Sequence, residues 1–311
     1  MHFDGTIWRP PYEAGSLLLQ VTAGCTHHAC KFCTLYHDLP FKFRMSPLAE
    51  VEGDLQEAQL RHTDPISMLS ARLQGLPGAE PVRRAFLVGA NPFVLQYGRL
   101  LDIAGLMGKY VPSVQTIGCF ARITDITTKS DGELASLRKA GYDGLTIGIE
   151  TGDSEALRFM NKGYDADAIV EQCSRLDQAG IRYSFFYLAG ISGAGKGEAG
   201  AMATAGVCNR LHPTLIGVNM LTVYPESELY REIQRGRWKE PGEMEKYREI
   251  RTLLENLEIP TQFAALGASN AFRFQGTLPE DRKALAAALG KIMETVGEAD
   301  LREYRVSLRH L

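Results

Sequence analysis

The sequence predicts an α/β protein, a partial (βα)6 TIM-like barrel with a helical C-terminal extension, on three observations. Six short runs rich in β-formers alternate with segments of helical period. The runs are near-continuously apolar, as expected of parallel strands buried on both faces. Strand-then-helix units in series favour a parallel sheet with its helices outside, and six of them favour a partly open barrel over a flat doubly wound sheet.

The first strand is expected at residues 16–22 (SLLLQVT). Ser46-Pro47 opens a helix to about residue 61, with proline at its first position. A helix at 66–73 and a loop fill the stretch 62–82, ahead of a second strand at 84–89 and a helix near 98–110. The third strand is placed at 114–119; Ser130 and Glu133 then have capping-box spacing for a helix that stops at Gly141. The fourth strand, 144–149 (GLTIGI), leads to a helix at 165–179 with Ile169, Cys173 and Leu176 on one face. A strand at 183–189, a helix at 198–211 and a strand at 215–222 complete the six units. Helices follow at 226–235, 241–257 and 279–297, the last opened by GTLPEDR with proline in its first turn. The expected division is a core barrel over residues 1–225 and a helical extension over 226–311.

The chain of 311 residues is 45% hydrophobic and 23% charged, with a formal net charge of −3. That balance disfavours a general binder of nucleic acid or of membrane surfaces. The opening residues lack a charged start followed by an apolar core. No stretch approaches the ~18 apolar residues of a membrane span, so a cytoplasmic setting is expected. Six cysteines in such a chain do not read as a disulfide framework; clustered ones point to metal or redox chemistry.

Three of them cluster in Gly24-Cys25-Thr-His-His-Ala-Cys30-Lys-Phe-Cys33, after the first strand, at the strand end where parallel barrels place their chemistry. Gaps of four and two residues let one tight loop wrap one metal centre. Three thiolates are one short of the set that fills an ordinary [4Fe–4S] cluster, which leaves one iron open. A structural zinc site is the alternative, with His27, His28 or His37 as fourth ligand, and three unligated thiols are the plain one. Cys119, Cys173 and Cys208 are scattered and give no second cluster; Cys173, on an apolar helix face, reads as a buried thiol.

With Phe32 just before Cys33, the loop resembles the signature of the radical S-adenosylmethionine (radical SAM) superfamily. The family's commonest spacing is three residues then two, and here it is four then two. The resemblance implies Cys25, Cys30 and Cys33 as metal ligands and a [4Fe–4S] cluster and S-adenosylmethionine (SAM) as cofactors. It also implies reductive cleavage of SAM, chelated at the open iron, to a 5′-deoxyadenosyl radical.

Further segments are similar to the branch that contains oxygen-independent coproporphyrinogen oxidases and methylthiotransferases. Gly148-Ile149-Glu150-Thr151-Gly152, followed by Leu157-Arg158-Phe159-Met160-Asn161-Lys162-Gly163, matches that branch. Glu150 is thereby implied at the ribose or the methionine end of SAM, the alternative being a helix cap. Gly89-Ala90-Asn91 stands where similar enzymes carry a Gly-Gly-Glu-like turn. Asn91 replaces the acid, so a backbone role toward the methionine amino group carries over, with a plain strand-end turn as alternative. Residues 187–193 (YLAGISG) resemble the segment that passes the adenine and bring Leu188 and Gly190 into the cofactor set with Phe32. Arg122 and Asn219 resemble positions of polar contact to SAM, against a surface salt bridge and an interior hydrogen bond. Gly190 to Lys196 also has Walker A spacing, but Gly197 stands where Ser or Thr binds magnesium, so a flexible glycine loop is the reading.

The resemblance thus implies a SAM-cleaving enzyme acting on an unidentified small-molecule substrate. It implies an external electron donor of the flavodoxin or ferredoxin type, while the charge and hydropathy disfavour a nucleic-acid or a membrane partner. The alternative is a non-catalytic iron–sulfur or heme-binding carrier of the same fold.

Overall fold

The structure is a computed structural model that describes residues 1–63, 65–75 and 81–308. Part of the loop expected before residue 82 lies outside the described residues. The chain divides into two compact units. Unit 1 comprises Met1–His28, Leu35–Thr146 and Gln178–Ile181; unit 2 comprises Ala29–Thr34, Ile147–Asp177 and Arg182–Leu311.

Unit 1 begins with β1 (Leu17–Gln20), then β2 (Thr22–Gly24), β3 (Phe43–Met45), α1 (Leu48–Thr63) and α2 (Pro65–Leu73). It continues with β4 (Arg84–Val88), α3 (Tyr97–Tyr110), β5 (Thr116–Ala121), α4 (Ile123–Ile126) and α5 (Asp131–Lys139). β1 pairs parallel with β4, and β4 with β5, setting Leu19 opposite Leu87 and Phe86 opposite Gly118. Leu19, Phe86, Leu87 and Val88 are wholly buried, the two-sided burial that an unbroken apolar run requires. α1 packs on α3 and α3 on α5. Ser130 caps α5 as its spacing foretold: its side chain accepts the Glu133 N–H, and the Glu133 carboxylate accepts the Ser130 N–H. At the strands' N-terminal end the Arg84 guanidinium donates to the buried Glu13 carboxylate (2.7–3.0 Å), to Thr116 Oγ1 and to the Asp143 carbonyl.

β6 (Tyr142–Glu150) starts in unit 1 and ends in unit 2. Unit 2 then contains α6 (Ser154–Phe159), α7 (Ala166–Ala179), β7 (Tyr183–Ala189), α8 (Gly197–Cys208), β8 (Leu215–Met220), α9 (Glu228–Gln234) and α10 (Glu243–Asn256). It closes with β9 (Thr261–Ala265), β10 (Phe274–Leu278), α11 (Arg282–Thr295) and α12 (Glu298–Ser307). β7, β8 and β9 pair parallel, and β10 lies antiparallel on β9. α7 buries Ile169, Cys173 and Leu176 as the spacing required. α10 packs on α8, with α11 and α12 on α10.

The sheet order is β1-β4-β5-β6-β7-β8-β9-β10. The six expected strands are thus present in chain order without a switch point, the strand order of a partial (βα)6 TIM-like barrel. Four differences from the sequence reading stand out. The third strand runs two residues later than expected, at Thr116–Ala121. A two-stranded hairpin, β2 with β3, brackets the cysteine loop. The C-terminal region contributes β9 and β10 besides its helices. Finally, Pro279 lies in the turn after β10, not in a helix: α11 starts at Arg282 because the Gly276–Leu278 backbone pairs with β9.

Candidate functional site

In unit 1 the loop that carries Cys25 leaves β2, and β3 returns from it. The Cys25 N–H donates to the Lys42 carbonyl at 3.0 Å, which closes the hairpin mouth. Gly24 sits there at φ +75°, and a Cβ would meet the Lys42 oxygen at 2.2 Å, so only glycine fits. Gly89, just past β4, has φ +129° and would place a Cβ 2.1 Å from Thr22 Oγ1. The Gly89-Ala90-Asn91 turn therefore lies directly against β2, one strand-end from the loop.

Asn91 is wholly buried. Its Nδ2 donates to Thr26 Oγ1 (2.9 Å) and to the Asp125 carboxylate (3.0 and 3.2 Å), while its Oδ1 faces the Thr26 N–H at 3.5 Å. The Arg122 N–H donates to the same Asp125 carboxylate at 2.8 Å, and the Arg122 side chain bonds Thr124. Unit 1 thus brings Asn91 and Arg122 together through Asp125, a residue the sequence reading passed over. Burial pushes the Asp125 carboxyl up to about 6, with the Arg122 N–H and Asn91 opposing the shift. Burial lowers the Lys129 pKa below the usual lysine range; its ammonium donates to the Phe93 and Asp125 carbonyls. The His28 N–H lies 3.5 Å from Cys25 Sγ, and the His28 and His37 rings are 5.0 Å apart.

In unit 2 the segment with Cys30, Phe32 and Cys33 is gripped at both backbone edges. The Lys31 N–H donates to the Met160 carbonyl (3.1 Å), the Leu229 N–H to the Lys31 carbonyl (2.7 Å), and Asn161 Nδ2 to the Ala29 carbonyl (3.0 Å). The Cys33 N–H closes a turn on the Cys30 carbonyl at 3.2 Å. Phe32 packs with Leu188, Phe159 and Trp238 against the buried cluster of Met160, Ile191, Leu221 and Leu229. Leu188 on β7 is the register partner of Asn219 on β8, so the two share a face of the sheet. Both are half-buried on strands whose other residues are mostly buried.

Glu150 ends β6 in the left-handed region, at φ 64°. The helix-cap alternative for it falls away, because Asp153 caps α6 by accepting the Glu155 and Ala156 N–H groups. Glu150 instead accepts from Lys162 Nζ at 2.9 Å, and Lys162 also donates to the Gly148 carbonyl at 3.0 Å. The Lys162 ammonium lies 5.7 Å from the Phe32 ring. Burial opposes its charge, but Glu150, Tyr164 and Cys30 outweigh burial and hold its pKa well above the lysine range. The sequence reading quoted Lys162 without giving it a role. Asn161 and Gly163 flank it at positive φ (56° and 80°); Asn-Lys-Gly in the sequence signals that turn but not the burial of the lysine within it.

The glycine loop does not form a phosphate cradle. The Gly190 N–H donates to Glu249 Oε2, Ala194 to the Lys239 carbonyl, Gly195 to Glu245, and Gly193 and Lys196 to carbonyls within the loop. The Lys196 ammonium is exposed and paired with Glu155. These amides are spent inside the protein, so the backbone N–H of Gly190 is committed to Glu249.

The six cysteines separate into two groups. Cys119, Cys173 and Cys208 are buried, and burial raises all three thiol pKa values, Cys208 to about 12. Cys25, Cys30 and Cys33 are half-exposed. Among the described residues, no three His, Cys, Asp or Glu side chains are already gathered as a metal site. The chemistry of the loop's donors nonetheless suits an iron–sulfur cluster: three accessible thiols, a backbone N–H directed at one sulfur and a buried cation beside another. No helix among the described residues is long and apolar enough to cross a membrane.

The model of one protein family, described as the Radical SAM superfamily, matches residues 19–203. Among solved structures, the chain is similar to archaeal Methanocaldococcus infernus Elp3 with an N-terminal deletion (TM-score 0.53, 14% identity, covering 90% of this chain and 63% of that one). It is similar to methylornithine synthase, PylB (TM-score 0.52, 14% identity, 93% and 85% covered). A third is coproporphyrinogen III oxidase, HemN, from Escherichia coli, itself titled a radical SAM enzyme (TM-score 0.51, 16% identity, 77% and 50% covered). The chain therefore spans 63% of the Elp3 chain and half of the oxidase. At these identities the likeness shows a shared fold. No curated protein matches the chain.

Proposed function

The chain belongs to the radical SAM superfamily of enzymes, which use a [4Fe–4S] cluster and SAM, and on that premise we propose that it cleaves SAM reductively to act on a small-molecule substrate. The proposed core is residues 1–225, with 226–311 as its extension. An electron donor of the flavodoxin or ferredoxin type and a cytoplasmic setting complete the reading.

Cys25, Cys30 and Cys33 would hold the cluster. When bound, it supplies the electron that splits the SAM sulfonium into methionine and a 5′-deoxyadenosyl radical. The protein's task is to bind, orient and exclude water. Lys162 and Glu150 carry the observation that supports this reading best: a buried ammonium and a half-buried carboxylate, 2.9 Å apart, the ammonium beside Cys30. Lys162 can donate to an oxygen of the methionine carboxylate, and Glu150 can accept from the methionine amino N–H or from a ribose hydroxyl. Side chains already held by one another lose little entropy when that ligand arrives. Phe32 and Leu188 offer the apolar surface on which an adenine ring rests. Within unit 1, Asn91 anchors Thr26, next in sequence to Cys25, and Gly89 lies against Thr22 of β2. With its side chain spent in the protein, Asn91 acts as a strut.

The test is anaerobic. The protein is reconstituted with iron and sulfide, reduced and given SAM, and 5′-deoxyadenosine is followed by mass spectrometry. Its formation at one equivalent or more per cluster supports the reading. A full cluster that binds SAM and never cleaves it, with every donor and substrate extract tried, points to the carrier alternative.

A further inference from the structure

The loop 266–270 lies between two elements of unit 2 and makes close contacts with both. Toward β8, Ser269 Oγ accepts the Met220 N–H at 3.2 Å and lies 3.3 Å from Asn219 Oδ1. Asn270 Nδ2 donates to the Val218 carbonyl at 2.9 Å. Gly267 passes so close that a Cβ would stand 2.1 Å from Asn219 Oδ1. Toward α12, Tyr304 Oη donates to the Ala268 carbonyl (2.6 Å), and Arg305 Nη1 to the Ser269 carbonyl (2.5 Å) and Thr222 Oγ1 (3.1 Å). Arg305 is itself buried and bound to the buried Glu243 carboxylate at 3.1 Å. A chain of contacts thus runs from the last helix through Ser269 to Asn219.

Ser269 Oγ accepts from the Met220 N–H and donates its one proton to Asn219 Oδ1. That bond removes the two-fold freedom of the amide: oxygen faces the loop, and the Nδ2 donors are left for whatever lies along the Leu188–Asn219 face. We propose that Ser269, held in place by Tyr304 and Arg305, is a positioning residue that orients Asn219 to donate to an acceptor atom of SAM. The inference rests on Asn219 being a SAM contact, and it gives the C-terminal helix a role in cofactor binding.

The experiment uses the full-length, cluster-loaded protein and measures SAM affinity by anaerobic equilibrium dialysis, with the cluster's electron paramagnetic resonance change on SAM addition as second readout. Asn219→Ala is expected to raise the Kd about tenfold and Ser269→Ala about fivefold, the scale of one directional hydrogen bond. Ser269→Thr, which keeps the hydroxyl, restores affinity. The double variant binds SAM no worse than Asn219→Ala alone, because Ser269 acts only through Asn219. Independent, additive losses, or a Ser269→Ala protein that binds like wild type while Asn219→Ala is weakened, overturn the positioning role. Wild-type affinity in Asn219→Ala overturns the premise that Asn219 meets SAM, and the inference with it.

Discussion

The two ends of the cysteine loop are held by different chemistry. In unit 1, Cys25 sits at the mouth of a hairpin, and its neighbour Thr26 is tied by Asn91 to a buried acid, Asp125. In unit 2, Cys30 and Cys33 sit on a backbone clamped by Met160 and Leu229, beside a buried cation, Lys162. The first arrangement fixes where the loop starts through Thr26 and Asn91. The second places positive charge where a sulfur ligand and an anionic ligand group would share it. In the proposed reading, holding the chain and holding the cofactor fall to different residues, and each can be removed separately.

The largest effect is expected from Cys30→Ala: loss of the cluster's absorbance and of all 5′-deoxyadenosine formation. Cleavage at the wild-type rate in that variant breaks the ligand assignment. Next comes Lys162→Met, which strands the Glu150 carboxylate. Because Glu150 is half-buried, the cost falls below the roughly 3–5 kcal/mol of a fully buried pair, to be read as a fall in the urea midpoint, and SAM affinity should drop about a hundredfold with the cluster retained. A variant that binds SAM normally would assign the pair to folding alone.

Each unit also contains a buried acid, and their pH responses should differ. Glu249, wholly buried and bound by Gly190 and Tyr187, is pushed by burial up to about 8 from an ordinary 4.5. The folded state holds that proton more tightly than the unfolded chain. Stability from this group is therefore greatest below pH 4.5 and declines as pH rises toward 8. The loss amounts to roughly 4–5 kcal/mol. Glu249→Gln should flatten that part of a pH–stability curve. Asp125 titrates at about 6 against 3.8, so its decline ends earlier and is smaller, about 3 kcal/mol; Asp125→Asn should flatten only the acidic part. Urea midpoints between pH 4 and 9 separate the two; identical curves for both variants would erase the contrast. The smallest effect belongs to Cys173→Ala, about 1 kcal/mol of lost packing with iron content unchanged; iron loss there would mean that the scattered thiols were misread.

The six strands were legible because a parallel strand buried on both faces must be an apolar run, and runs such as Phe86 to Val88 are unmistakable. β9 was not, because Phe263 is its only large apolar residue and its burial comes from pairing with β8. The β2–β3 hairpin was hidden for a related reason: Gly24 pairs with Phe43, far along the chain, and no local signal fixes that register. Of the proposed site, the cysteines, Glu150 and Asn219 were named from motif position. Lys162 and Asp125 could not, because what singles them out is burial of a charge, a property of the folded surroundings. Asn91 was legible as a position but not as a role, since the acid it binds lies on α4.

The hairpin around the cysteine loop also bears on the loop's unusual spacing. The β2–β3 pairing closes a ring at Gly24 and Phe43. Closure entropy grows only with the logarithm of ring size, so one residue added to a ring this long costs less than about 0.1 kcal/mol. The ends of the segment do not move when its length changes; the slack is taken up between them. A fourth residue between Cys25 and Cys30 is thus a change of contour length within a fixed span, and evolution could insert or delete it without disturbing the sheet.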